Sequence, residues 1–86
     1  MKQFTYTITS PIGIHARPAG LLVKAAKELD STITIEKVGG KSAAATKLIA
    51  VMGLGVKCGD TVIVTLEGGS EQANAGIMEQ FFQEHL

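Results

Sequence analysis

The strongest chemical signal in the chain is a histidine placed directly before the signals of a helix start, in residues 13–19 (GIHARPA). A helix beginning after His15 would direct unpaired backbone N–H groups toward whatever the imidazole carries. Arg17 adds a permanent charge and several donors suited to phosphate or carboxylate oxygens. Pro18 fits the first turn, where its missing N–H breaks no hydrogen bond. The pattern predicts a site for an anionic group at His15.

Length and charge limit what such a site can be. The 86 residues predict one small domain spanning positions 1–86, with a shallow site because a chain of this size buries only roughly 60–65% of its unfolded surface. Eight basic residues against eight acidic ones give zero formal net charge. This balance argues against nucleic acid or an anionic membrane as the main partner.

Cysteine usage and hydropathy indicate the cellular compartment. Cys58 is the single cysteine, so no internal disulfide can form, and we expect it to be a small, partly buried residue. The chain has no signal-peptide pattern and no 18-residue apolar segment. A cytoplasmic protein without membrane insertion is predicted.

Three segments alternate apolar residues with threonine or another polar residue, at positions 4–9, 32–36 and 61–66. This period of two predicts strands with one packed and one solvent-facing side. Such faces favour an antiparallel sheet covered by helices on one side over a doubly wound parallel sheet. Gly39-Gly40 predicts a turn into a short edge strand near residues 41–44.

Helical spacing appears between these strands. Leu22, Ala25, Ala26 and Leu29 form an apolar stripe, and the opposite face carries Arg17, Gly20, Lys24 and Lys27. A last helix is predicted after Ser70, its expected N-cap. Gly76 lies inside that helix, where we expect close packing against another element to offset its cost.

The segment 47–55 (KLIAVMGLG) is apolar nearly all round and predicts a short helix that ends at Gly55. Val51 and Leu54 are expected to be buried. Leu48, Ile49 and Met52 then form either an exposed patch for docking another protein or further core, and the sequence favours neither.

Residues 13–19, followed by Leu22-Val23 and Ala26, closely resemble the active-site segment of the HPr family. These are the histidine-containing phosphocarrier proteins of the bacterial phosphoenolpyruvate:sugar phosphotransferase system. Residues 40–42 (GKS) and 51–56 (VMGLGV), with Gly59, resemble the second signature of the family at the right separation and without gaps. The resemblance covers essentially the whole chain.

The resemblance implies an α+β fold, the open-faced β-sandwich, in which a four-stranded antiparallel sheet carries three helices on one face in the order βαββαβα. It implies a phosphocarrier without turnover of its own, rather than an enzyme, and a monomer that needs no cofactor. His15 would accept a phosphoryl group through Nδ1 from enzyme I and pass it to the sugar-specific A-type permease components. Carried over by position, His15, Ala16 and Arg17 would bind the phosphoryl group, and the partner surface would comprise Arg17, Gly20, Lys24, Lys27, Leu48, Ile49, Met52 and Gly53.

Two positions depart from the family pattern. Many members have a regulatory serine at the start of the second helix, where this chain has Lys47, so that regulation is expected to be absent. The adjacent Thr46 is expected to cap the helix rather than to replace the serine. Ile12 stands where the family often has Asn or Ser near the active-site ring, so a polar contact to His15 is lost.

Two other functions stay open. The first is a paralogue that acts as a regulatory binding module, for which phosphorylation is a signal to regulatory proteins. The second is a small enzyme in which His15 is a general base or metal ligand. For this the sequence offers no paired carboxylates, no Cys/His cluster and no second histidine near the first, since His85 is expected to be an exposed tail residue. No metal site is predicted.

Overall fold

A computed structural model describes residues 1–86 and contains four strands and three helices in the order βαββαβα. The elements are β1 (Lys2–Thr7), α1 (Ala16–Lys27), β2 (Thr32–Lys37), β3 (Ser42–Ala44), α2 (Leu48–Gly53), β4 (Thr61–Glu67) and α3 (Glu71–His85). The predicted fold class is confirmed. The short edge strand expected near residues 41–44 is β3.

The strands form one antiparallel sheet in the order β1-β4-β2-β3. Val64 in the central strand β4 lies between Phe4 of β1 and Ile35 of β2, which in turn pairs with Ala43 of β3. Because side chains alternate along a strand, these apolar residues share the face that the helices cover. The threonines of the alternating strands fall on the opposite face, as the sequence predicts.

One core of 19 buried residues joins the helices to this face. Phe82 of α3 is fully buried and meets the rings of Phe4 and Tyr6 edge-on, with centroids 5.8 and 5.5 Å apart. Leu22 and Ala26 of α1 are buried as their spacing predicts. These contacts hold α1 and α3 against the sheet.

Four local expectations have definite outcomes. Gly55 ends α2 with φ +66°, which confirms it as the C′ glycine. Ser70 is the N-cap of α3, but its side chain makes no capping hydrogen bond. The expectation for Gly76 is wrong, because it is exposed and a Cβ there would have nothing within 4 Å. Cys58 is exposed rather than partly buried, since it lies in the loop before β4.

Candidate functional site

His15 is the N-cap residue of α1, with an extended backbone (φ −111°, ψ −175°). Its carbonyl oxygen accepts the first helical hydrogen bond, from the Ala19 N–H at 2.9 Å. The N–H groups of Ala16 and Arg17 have no acceptor in the chain, and Pro18 has no N–H to satisfy. The first turn holds no acidic residue. The half-buried His15 ring therefore stands beside free donors at the positive end of a helix dipole.

The segment that carries His15 is held on the loop before β4. Ile8 and the turn at Gly59-Asp60 exchange backbone hydrogen bonds: Ile8 N–H donates to Asp60 at 2.9 Å, and Gly59 N–H donates to Ile8 at 2.8 Å. Ile14 N–H donates to the Val56 carbonyl oxygen at 3.1 Å. Hydrogen bonds on both sides of residues 9–13 thus fix the start of α1.

Gly13 is required where this segment turns. Its φ is +76°, a left-handed conformation that L side chains rarely adopt. A Cβ at this position would collide with the Val56 carbonyl oxygen and with Lys57 Cα. The absence of a side chain therefore allows the close approach that precedes His15.

Asp60, in the loop before β4 that holds this segment, is a carboxylate with a lowered pKa. The Lys57 N–H donates to Asp60 Oδ2 at 2.9 Å, and the Lys37 ammonium lies 3.4 Å from the same oxygen. The backbone hydrogen bond from Lys57, followed by the hydrogen bond and charge of Lys37, holds the pKa of Asp60 below its ordinary value of 3.8. Asp60 stays ionised near neutral pH and keeps the turn closed.

An open cavity of about 290 Å³ lies beside the imidazole and is lined by His15, Arg17, Pro18, Leu21 and His85. None of these residues is acidic. Arg17 is exposed and forms no ion pair within the chain, so its guanidinium is available to an incoming anion. Electrostatically, the cavity favours an anionic group bound to His15.

The structure corrects the expectation for His85. It is exposed to solvent, but it lies in the last turn of α3 and lines the same cavity as His15. The expectation that no second histidine lies near the first is therefore wrong. Local sequence gives no signal for this shared cavity, because residues 15 and 85 are brought to it by the packing of α3.

The outer surface of α1 and α2 is both apolar and basic. Leu48 and Met52 are each 39% exposed and Ile49 is 82% exposed, whereas Val51 and Leu54 are buried. The question left open by the sequence is thus resolved in favour of exposure. Since α1 packs against α2, these residues and Gly53 stand beside the outer face of α1, which carries Arg17, Gly20, Lys24 and Lys27.

The structure also shows where Lys47 and Ile12, the two departures from the family pattern, are located. Lys47 is the exposed N-cap of α2, with no side-chain capping hydrogen bond, so the expectation that Thr46 caps this helix is wrong. Ile12 is 68% exposed in the segment before His15.

Two structural features bear on other functions. No three His, Cys, Asp or Glu residues lie close enough together to hold a metal ion. None of the three helices combines the length and the apolar character that crossing a bilayer requires.

Comparison with known proteins identifies a family for this chain. Residues 2–84 match the family described as PTS HPr component phosphorylation site. HPr-C-His from Thermoanaerobacter tengcongensis is similar in structure with a TM-score of 0.90 and 33% identity, over 99% of this chain and 94% of that one. The phosphocarrier protein HPr from Bacillus anthracis gives a TM-score of 0.86 with 28% identity, over 95% and 96%. Crh, the catabolite repression containing protein of Bacillus subtilis, gives 0.76 with 30% identity, over 100% and 98%.

The fold and the family match define a phosphocarrier class of protein rather than a conventional enzyme. The chain belongs to the HPr family of the phosphotransferase system.

Proposed function

We propose that this protein accepts a phosphoryl group on His15 from phosphorylated enzyme I and passes it to the sugar-specific A-type permease components of phosphotransferase sugar uptake. One observation carries the proposal. The His15 ring stands at the N-terminus of α1, beside two free N–H groups, in a cavity that Arg17 lines and no carboxylate enters.

The chemistry of the transfer follows from these groups. The lone pair of neutral His15, at Nδ1, attacks the phosphorus atom, and the phosphorus–nitrogen bond to the histidine of enzyme I breaks as that imidazole leaves with its electron pair. The group gained by His15 is dianionic near neutral pH. The Ala16 and Arg17 N–H groups and the Arg17 guanidinium are placed to offset this charge. The partner supplies the alignment of donor and acceptor.

The partner surface that we propose comprises Arg17, Gly20, Lys24, Lys27, Leu48, Ile49, Met52 and Gly53, called here the docking surface. Its exposed apolar residues lie on α2 and its lysines on α1, with the His15 cavity at one edge. Apolar contacts within a charged rim are typical of protein interfaces. The lysines favour a partner with an acidic face.

The relay itself is the test of this function. The protein is incubated with enzyme I, magnesium, phosphoenolpyruvate and an A-type permease component, and phosphorylation of the permease component is followed by intact mass. We expect transfer with the wild-type protein and none with His15→Ala. Transfer in the absence of the protein, or equal transfer through His15→Ala, would contradict the proposal.

The docking surface has its own matched test. Ile49→Glu places a charge in the centre of the apolar part of this surface, and Val38→Glu makes the same change at an exposed apolar residue in the turn between β2 and β3. We expect Ile49→Glu to slow phosphoryl transfer at limiting protein concentration and Val38→Glu to leave it unchanged. Equal rates for the two variants would show that partners bind elsewhere.

A regulatory paralogue is the second candidate function, and similarity to Crh supports it because the name of that protein refers to catabolite repression. Such a module would bind a regulatory protein according to its phosphorylation state. Complementation of sugar uptake in a bacterium lacking its own carrier distinguishes the two functions. Restored uptake supports the carrier, and phosphorylation without restored uptake supports the regulatory module.

We further propose a cytoplasmic location and a monomeric carrier in which residues 1–86 act as one unit. Lys47 at the start of α2 supports the absence of the regulatory serine phosphorylation known in other family members.

A further inference from the structure

We propose that His85 is a second side-chain donor to the phosphoryl group carried by His15, an inference that rests on the proposed phosphocarrier function. The observation behind it is the shared cavity. His15, Arg17 and His85 are the three nitrogen-bearing side chains of its lining, and the other two residues, Pro18 and Leu21, offer no side-chain hydrogen bond.

His85 is held in place from two directions. Its ring lies against the ring of Phe81, four residues earlier on α3, with centroids 4.5 Å apart and planes tilted by 36°. The next residue, Leu86, is buried, and its main-chain oxygen accepts hydrogen bonds from the Thr9 and Ser10 N–H groups at 2.6 and 2.7 Å. The end of α3 is therefore fastened to the segment that carries His15, and the ring is restrained at the cavity before any phosphoryl group arrives.

The charge distribution favours an anion between these side chains. His85 lies in the last turn of α3, where the helix dipole favours a cation, and no carboxylate lines the cavity to neutralise it. Arg17 faces the same space. The permanent charge of Arg17 and the donor capacity of the His85 ring both favour a dianionic phosphoryl group in this cavity. A neutral imidazole still provides one N–H donor and an imidazolium provides two.

This role has a thermodynamic consequence. A contact made only to the phosphorylated form stabilises that form, so removing it shifts the equilibrium toward the free protein. For one hydrogen bond to a charged group we expect the equilibrium constant for phosphorylation to fall by about tenfold. The bond-making step at His15 is unchanged. His85 positions and stabilises the group and never carries it.

The experiment compares three substitutions at one position. His85→Phe retains a ring that can lie against Phe81 and removes both nitrogen atoms, His85→Gln retains a donor without the ring, and His85→Ala removes both. Gln83→Ala, at an exposed position two residues earlier, is the control. Each protein is equilibrated with enzyme I, magnesium and a fixed ratio of phosphoenolpyruvate to pyruvate, and the phosphorylated fraction is read by intact mass.

We expect His85→Phe and His85→Ala to lower the equilibrium constant by about tenfold, His85→Gln to recover part of it, and Gln83→Ala to match wild type. In the wild-type protein, the ring nitrogen resonances of His85 should shift on phosphorylation of His15. A His85→Phe variant equal to wild type, or His85 resonances that do not move, would overturn the role of His85 while leaving the phosphocarrier function intact. If the wild-type protein accepts no phosphoryl group, the proposed function itself fails.

Discussion

Replacing Gly13 by alanine tests how the chain holds His15 in position. Two separate costs arise at this site. A non-glycine residue with φ near +76° loses about 1–2 kcal/mol relative to an ordinary backbone conformation. The new Cβ also overlaps the Val56 carbonyl oxygen and Lys57 Cα, which are backbone atoms that cannot rotate away. Overpacking of this kind costs about 1–3 kcal/mol.

Gly39→Ala is the matched control. Gly39 has φ +79°, almost the same as Gly13, but a Cβ there would meet nothing within 4 Å. It therefore incurs the conformational cost without the steric one. We expect Gly39→Ala to lower the free energy of unfolding by about 1–2 kcal/mol and Gly13→Ala by about 2–5 kcal/mol.

Urea denaturation followed by circular dichroism measures both variants. At about 4–8 °C in Tm per kcal/mol for a chain of this size, the extra loss at Gly13 is also visible in a thermal melt. Phosphorylation by enzyme I should slow in Gly13→Ala under conditions where the variant remains folded, because Ile14 and His15 must move as the segment yields. Equal stability of the two variants would refute the close approach at Gly13.

Three further predictions concern stability away from the site. Gly76→Ala should raise the free energy of unfolding by about 0.5–1 kcal/mol, because Gly76 lies exposed within α3 with open space for a methyl group. A lower free energy of unfolding in this variant would show that the methyl group does not fit there. Asn74→Ala should cost about 1–3 kcal/mol in chemical denaturation, because this buried amide donates to Asp30 Oδ1 at 2.6 Å and to Ser31 Oγ at 2.7 Å; an unchanged midpoint would contradict that. The hydrogen bond from Asn74, followed by that from the Ser70 N–H, holds the pKa of Asp30 below 3.8. The stabilisation of the folded protein by ionised Asp30 should therefore be complete above about pH 5 and be lost as the pH falls through 3.8 toward the folded pKa. Thermal melts of Asp30→Asn should depend less on pH in this range than those of wild type.

The fold could be predicted from the sequence wherever burial follows a local period. Alternation in residues 32–36 and 61–66 predicts which side chains face the helices, and Ile35 and Val64, which are paired in the sheet, both do so. The stripe containing Leu22 and Ala26 likewise predicts the packed face of α1. Burial of one face of a strand or helix produces a periodic pattern within a short stretch of sequence, so these features could be predicted locally.

Features set by contacts distant in sequence were not predictable in this way. In the sequence His85 is only an isolated polar residue far from His15. In the structure it lines the same cavity as His15, and the hydrogen bonds from the Thr9 and Ser10 N–H groups to the Leu86 main-chain oxygen hold the end of α3 there. The open surroundings of Gly76 depend on how α3 sits on β1. No local sequence pattern indicates either the location of His85 or the surroundings of Gly76.

The side-chain capping of α2 and α3 was also not predicted correctly from the sequence. Ser70 and Thr46 are residue types that favour N-caps, but propensity gives only an average preference. At Ser70 the side-chain hydroxyl has another acceptor, since it donates to Asp30 Oδ2 at 3.4 Å. At α2 the N-cap falls on Lys47 instead, one residue after the expected one. The resemblance to a known family supplied the roles proposed for the site, and the residues alone predicted only an anionic ligand at His15.

The central claim is that His15 is the residue to which the phosphoryl group is covalently bound. The most direct measurement is intact mass after incubation with enzyme I, magnesium and phosphoenolpyruvate. We predict a gain of one phosphoryl group that is lost on mild acid treatment, as expected of a phosphorus–nitrogen bond, and no gain in His15→Ala. An unchanged wild-type mass, an acid-stable modification, or a phosphorylated His15→Ala protein would contradict the account.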